Sequence, residues 1–113
     1  VKAAREASCE EARSIAAELP GVDCLLGLGG GKAIDTAKYI GFLSSTAMLS
    51  IPTSLSNDGF CSPQSSLTES GIRVSLKSSM PSGVVVDTEV CLQAPKLLWL
   101  AGIGDLVSKL TAV

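Results

Sequence analysis

The sequence predicts an α/β fold, in which a parallel sheet with covering helices gives way to the start of an all-helical region. Three observations predict it. Helical and short apolar segments alternate from the first residues to Ile51 in the order helix, strand, helix, strand. Three consecutive glycines, Gly29–Gly31, stand where a strand would hand over to a helix. From Pro95 onward the apolar residues repeat at helical spacing. Such an order implies parallel strands joined by right-handed crossovers.

Taken in order, residues 2–19 read as an amphipathic helix closed by Pro20-Gly21. Residues 22–28 form a short buried strand, and 32–44 a second helix with Ala33, Ile34, Ala37 and Ile40 facing inward. Ala47–Ile51 is an apolar strand ended by Pro52. Asn57–Pro63 carries loop signals, and residues 65–68 and 72–76 pair as a hairpin across Glu69-Ser70-Gly71. Val84–Val86 is a fully apolar strand ending at Asp87, with a short helix after it. The closing helical pattern is interrupted at Gly102-Ile103-Gly104, which puts Asp105 at a helix start, and it continues through Leu106, Val107, Leu110 and Val113. The expected division is residues 1–94 as one α/β unit and 95–113 as the beginning of a helical one.

At 113 residues the chain has the length of one small domain, yet both ends fall inside helical patterns, so it reads as an internal piece of a longer protein. A net charge of −2 and a pI of 5.0 argue against a nucleic-acid partner. No apolar run is long enough for a membrane helix, so the mean hydropathy of +0.40 reflects short buried segments. Cys9, Cys24, Cys61 and Cys91 form no C-x-x-C pair and no disulfide framework, which fits reduced, mostly buried thiols in a cytoplasmic protein. With no histidine in the chain, serine–histidine and cysteine–histidine hydrolase schemes are excluded, as is a complete histidine-based metal site within these residues.

Residues 27–38 carry the strongest local signal. Glycines let the backbone approach an anion closely, and a helix N-terminus offers unpaired amides and partial positive charge. The dinucleotide fingerprint G-x-G-x-x-G fails because Lys32 replaces its last glycine. The P-loop fails because Ala33 follows Gly31-Lys32 and Leu26 replaces the first glycine. A tight strand-to-helix turn without any ligand also accounts for this segment. Residues 52–59 follow a strand end, where open α/β sheets bind ligands, and offer Thr53, Ser54, Ser56 and Asp58. An Asx-turn at Asn57-Asp58-Gly59 is the plainer account. Asp105 is either a metal ligand or a helix carboxylate paired at i, i+4 with Lys109. Asp35 and Lys38 read as a surface i, i+3 pair, Asp87 as a helix cap, Arg73 and Lys77 as solvated, and Trp99 as core.

In this order the segments resemble the iron/zinc-dependent polyol dehydrogenase superfamily, which includes glycerol dehydrogenase and dehydroquinate synthase. Within it they look most like the glycerol-1-phosphate dehydrogenases. The resemblance is carried by Gly-Gly-Gly-Lys-x-x-Asp-x-Ala-Lys (29–38), Pro-Thr-Ser-x-Ser-Asn-Asp-Gly-x-x-Ser-Pro (52–63), Val-Val-Val-Asp (84–87) and Ala-Gly-Ile-Gly-Asp (101–105). Asn57 departs from the histidine that the glycerol-1-phosphate enzymes typically show there. The resemblance implies a partial Rossmann-like nucleotide-binding domain and hydride transfer between NAD or NADP and a polyol or polyol phosphate. Its cofactor contacts would be Gly29, Gly30, Gly31, Lys32, Ala33, Ile34, Asp35, Thr53, Ser54, Leu55, Ser56 and Ser62. Asp58 and Asp105 would be the catalytic, substrate-facing carboxylates. Asp105 would also be the first ligand of a divalent metal, zinc foremost, with iron or nickel as alternatives. The same resemblance implies a homo-oligomer, with downstream histidines completing the metal site, so these residues alone are expected to be inactive. A non-catalytic phosphate-ligand binding module is the alternative from a different class.

Overall fold

The first helix starts at the Ser8 cap, with Glu11 tying back the residues just before it. The structure, a computed structural model, describes residues 1–111. Ser8 Oγ accepts from the Glu11 amide at 3.2 Å, while the Glu11 carboxylate accepts from the amides of Arg5 (3.0 Å) and Glu6 (2.7 Å). Helix α1 therefore spans Cys9–Glu18 rather than the expected 2–19. The residues before it form no helix, Ser8 bridges to Thr68, and the Ala7 carbonyl accepts from the Thr68 amide at 2.7 Å. The two amide bonds hold the Glu11 carboxyl below its ordinary value of 4.5. Because the folded value is the depressed one, this contribution is present above pH 4.5 and fades as pH falls through the folded value. Glu11→Gln is expected to loosen the start of α1 already at neutral pH, read as faster amide exchange at Arg5 and Glu6. Unchanged exchange there would contradict this role.

Strand β1 (Cys24–Gly29) pairs in parallel with β2 (Ala47–Pro52), from Cys24 opposite Ala47 to Gly29 opposite Pro52. Helix α2 (Gly31–Ser44) makes the crossover and packs on both strands. Gly27 permits that packing, since a Cβ there would lie 3.0 Å from both Ala37 Cβ and Met48 Cε. The helix ends at Ser45, which is left-handed (φ 52°), with the Thr46 amide donating to the Gly41 carbonyl. The hairpin β3 (Gln64–Glu69) and β4 (Ile72–Lys77) turns on Ser70-Gly71, both at positive φ as a two-residue hairpin loop requires. Cys9 and Ala12 of α1, Tyr39 and Ile40 of α2, and Leu67 of β3 form the buried core between helices and hairpin. Strand β5 (Gly83–Val84) adds a third parallel strand beside β2, giving the order β1-β2-β5. Helix α3 (Thr88–Leu92) is capped as expected by Asp87, which accepts from the amides of Glu89 and Val90.

Four expectations need correction. Strand β1 is not buried on both faces: Leu26 and Leu28 are 63% and 64% exposed, because α2 covers only the face carrying Leu25 and Gly27. The Val84–Val86 run is an exposed sheet edge with a two-residue ladder, extended only by the Val85 amide donating to the Ser50 carbonyl. Of the cysteines, Cys9 and Cys91 are buried but Cys24 and Cys61 are exposed. Helix α4 (Lys96–Thr111) runs unbroken through Gly102-Ile103-Gly104, so Asp105 lies mid-helix and not at a helix start. Val113, the last apolar position of the expected helix, lies outside the described residues. Among the described residues no helix is long and apolar enough to cross a membrane.

Candidate active site

In parallel strands every carboxyl end falls on the same edge. This edge gathers Gly29–Gly31 after β1, Thr53–Asp58 after β2 and Val85–Asp87 after β5. Gly29 has φ +140°, a conformation that side chains rarely adopt, and its carbonyl accepts from the Thr53 amide at 2.9 Å. A Cβ on Gly30 would lie 3.7 Å from Ser54 Oγ, so the loops after β1 and β2 meet side by side. Gly30 caps α2 without any side-chain hydrogen bond, and no acidic residue stands in the first turn. The positive end of α2 is thus left open to an anion. Lys32 turns away from it, its Nζ donating to the Arg5 carbonyl at 2.8 Å. Ala33 packs beneath Gly29, and Ile34 is buried with its amide donating to the Gly30 carbonyl.

The second cluster joins the loop after β2 to α4. The Asp58 amide donates to Asp105 Oδ2 at 3.2 Å. Lys109 Nζ lies 3.1 Å from Asp105 Oδ2 and 3.4 Å from Asp58 Oδ2. The hydrogen bond to Asp105, then the one to Asp58, raises the Lys109 pKa from its ordinary 10.5. What brings α4 this close is Gly102, which is buried: a Cβ there would meet the Leu55 carbonyl oxygen at 1.8 Å. A cavity of about 320 Å³ opens at this junction, with Trp99, Phe60, Ile103 and Leu106 as apolar walls and Asp58 and Asp105 on its rim. Trp99 is therefore a half-buried cavity wall rather than core.

Asp35 and Ser62 sit elsewhere, at Lys38. The expected surface pair is a buried one: the Lys38 side chain is wholly unexposed, with Nζ 3.0 Å from Asp35 Oδ1. Asp35 Oδ2 accepts from the Ser66 amide at 3.2 Å. Lys38 also donates to the carbonyls of Gly59 (2.5 Å), Ser62 (3.3 Å) and Gln64, and to Ser62 Oγ at 3.5 Å. The sequence did carry a signal for this burial, since Ile34, Lys38 and Gly41 share one face of α2 at i, i+4 and i+7. Ser56 is half-buried after β2, and the Leu55 carbonyl faces Gly102.

A divalent cation would find one suitable donor among these groups. Asp105 is a hard oxygen donor whose Oδ1 makes no hydrogen bond to the described residues, so it fits as one ligand. Among the described residues no group of three or more His, Cys, Asp or Glu comes together.

Known proteins resemble this chain over most of its length. The family model for iron-containing alcohol dehydrogenase matches residues 1–95. Glycerol-1-phosphate dehydrogenase (NAD(P)+) of Methanothermobacter thermautotrophicus is 39% identical over 108 residues, covering 96% of this chain and 31% of the relative. The enzyme of the same name from Metallosphaera sedula is 45% identical over 89 residues, covering 79% of the chain and 25% of the relative. A probable glycerol dehydrogenase from Sinorhizobium meliloti superposes with a TM-score of 0.82 at 33% identity, over 92% of this chain and 31% of that one. The chain thus spans well under half the length of the relatives it matches. The chain belongs to the iron-containing alcohol dehydrogenase family.

Proposed function

We propose that this chain forms the cofactor wall and the first metal-side carboxylate of an NAD(P)-dependent dehydrogenase that interconverts dihydroxyacetone phosphate and glycerol 1-phosphate. The observation that carries the reading is the apposition of Asp58 and Asp105 beside a cavity, with Asp58 on the same sheet edge as the open N-terminus of α2. In this reading residues 1–94 are the nucleotide-binding part, and α4 begins a helical domain that bears the metal.

Each group has a physical task. The first-turn amides of α2 and the side-chain-free backbone at Gly29–Gly31 receive the cofactor's pyrophosphate. Thr53, Ser54, Ser56 and the Leu55 backbone line the adjoining loop toward its ribose and nicotinamide. Asp58 would accept hydrogen bonds from substrate hydroxyls, and Asp105 would hold the metal while its Oδ2 accepts from the Asp58 amide. When bound, the divalent cation polarises the substrate oxygen and the nicotinamide carries the hydride. The half-buried Trp99 and Phe60 supply the apolar wall that would face the reacting carbon.

The structural neighbours that are glycerol dehydrogenases favour a second reading, in which the substrate lacks the phosphate. Reduction of dihydroxyacetone phosphate and of dihydroxyacetone by the full-length protein separates the two. The phosphate reading expects kcat/KM at least about a hundredfold higher for the phosphorylated ketone, since a site built for a polar group rejects an analogue without it. Equal or reversed preference would favour the plain polyol, and turnover of neither would point to a binding module.

A further inference from the structure

We propose that Lys38 is the positioning residue of this site: its buried ammonium holds the loop that carries Asp58 and thereby sets the spacing between Asp58 and Asp105. The proposal deepens the functional reading above and rests on it for its kinetic consequence.

Burying an ammonium is costly unless every proton finds a partner, and an apolar side chain would fill the same space at less cost. What the charge holds must therefore account for its presence. An ion pair with Asp35 alone would occupy one of the three Nζ protons. The other two reach from α2 to backbone carbonyls at both ends of one loop, Gly59 at its start and Gln64 at its finish, with the Ser62 carbonyl between them a longer, shared contact at 3.3 Å. Gly59 opens the short 3-10 turn Gly59–Cys61, and that turn is locked to Asp58 by the Cys61 amide donating to the Asp58 carbonyl at 3.1 Å. The Asp58 amide in turn donates to Asp105 Oδ2. A continuous path runs from Lys38 through Gly59 and Asp58 to Asp105. Lys38 lies two turns along α2 from Gly31, so the same rigid helix presents the anion-facing amides at one end and clamps the carboxylate loop further along. Lys38 itself is wholly buried, so it acts through the groups it holds.

The test uses the full-length protein and the variant Lys38→Met, with two readouts. Amide exchange is expected to quicken at Asp58–Gln64 while α2 stays protected. The kcat/KM for dihydroxyacetone phosphate should fall about a hundredfold, the scale of a misplaced reacting group, with KM for NAD(P)H within about threefold of wild type. A structural role alone would move both KM values together or leave the loop exchange unchanged, and either result overturns the proposal. Should Lys38→Met fail to fold, Lys38→Arg is read in the same way, because its planar fork keeps the charge but not the three tetrahedral donors. Wild-type protein that reduces neither ketone overturns the functional reading instead. The clamp is then judged by loop exchange, where faster exchange upholds it and unchanged exchange overturns it.

Discussion

Gly102→Ala is expected to pull α4 away from the loop after β2 and to cost about 3 kcal/mol, the upper range for overpacking. The added methyl would stand 1.8 Å from the Leu55 carbonyl oxygen and 3.0 Å from its carbonyl carbon. Neither neighbour is a flexible side-chain tip, so relief requires one backbone segment to move. Against this stands the gain in helix propensity from replacing a glycine, about 1 kcal/mol. The clash wins. Gly104 provides the control, because a Cβ there meets nothing within 4 Å. Gly104→Ala should leave stability unchanged or raise it by up to about 1 kcal/mol. Thermal melting and amide exchange across Thr53–Asp58 check both variants. Loss of the Asp58-to-Asp105 hydrogen bond should accompany Gly102→Ala alone. Equal behaviour of the two variants would remove the special role assigned to Gly102.

That pair of glycines also marks where sequence reading reaches its limit. The alternation of helical and apolar segments was legible, as were the turn at Ser70-Gly71 and the Asp87 cap, because each depends on neighbours a few residues away. Gly102 was not, since a glycine in a helical pattern looks like an interruption until its packing partner is known. Leu26 and Leu28 alternate as strand residues should, but alternation cannot tell which face of a sheet finds a cover. Lys38 was misread because lysine is rarely buried, although its place on the Ile34–Gly41 face argued the other way. Asp58 and Asp105 each had an ordinary local explanation. Their apposition across 47 residues is a property of the fold, and it is what gives the pair chemical meaning.

The two accounts of Asp105 make opposite demands on Lys109. If Asp105 serves only as an i, i+4 partner of Lys109, then Asp105→Ala and Lys109→Met share the loss of that pair, Asp105→Ala adding the loss of the Asp58 amide bond, and both leave turnover nearly unchanged. The raised Lys109 pKa makes the comparison clean. Its contribution is fully present below the ordinary 10.5 and is lost only as pH rises through the higher folded value, so at neutral pH Lys109→Met removes all of it. If Asp105 instead offers Oδ1 to a divalent cation, the variants part. Lys109→Met should leave turnover of the full-length protein within about threefold of wild type, as the loss of a surface pair predicts. Asp105→Ala should lower turnover on the order of a thousandfold, the worth of several kcal/mol of Lewis-acid stabilisation. It should also lower the metal retained after dialysis, measured by atomic absorption independently of activity. Matched losses in the two variants, with metal content unchanged, would reduce Asp105 to a helix-surface carboxylate. Divergent losses with metal lost from Asp105→Ala alone would make it a ligand, with Lys109 a bystander on the opposite oxygen.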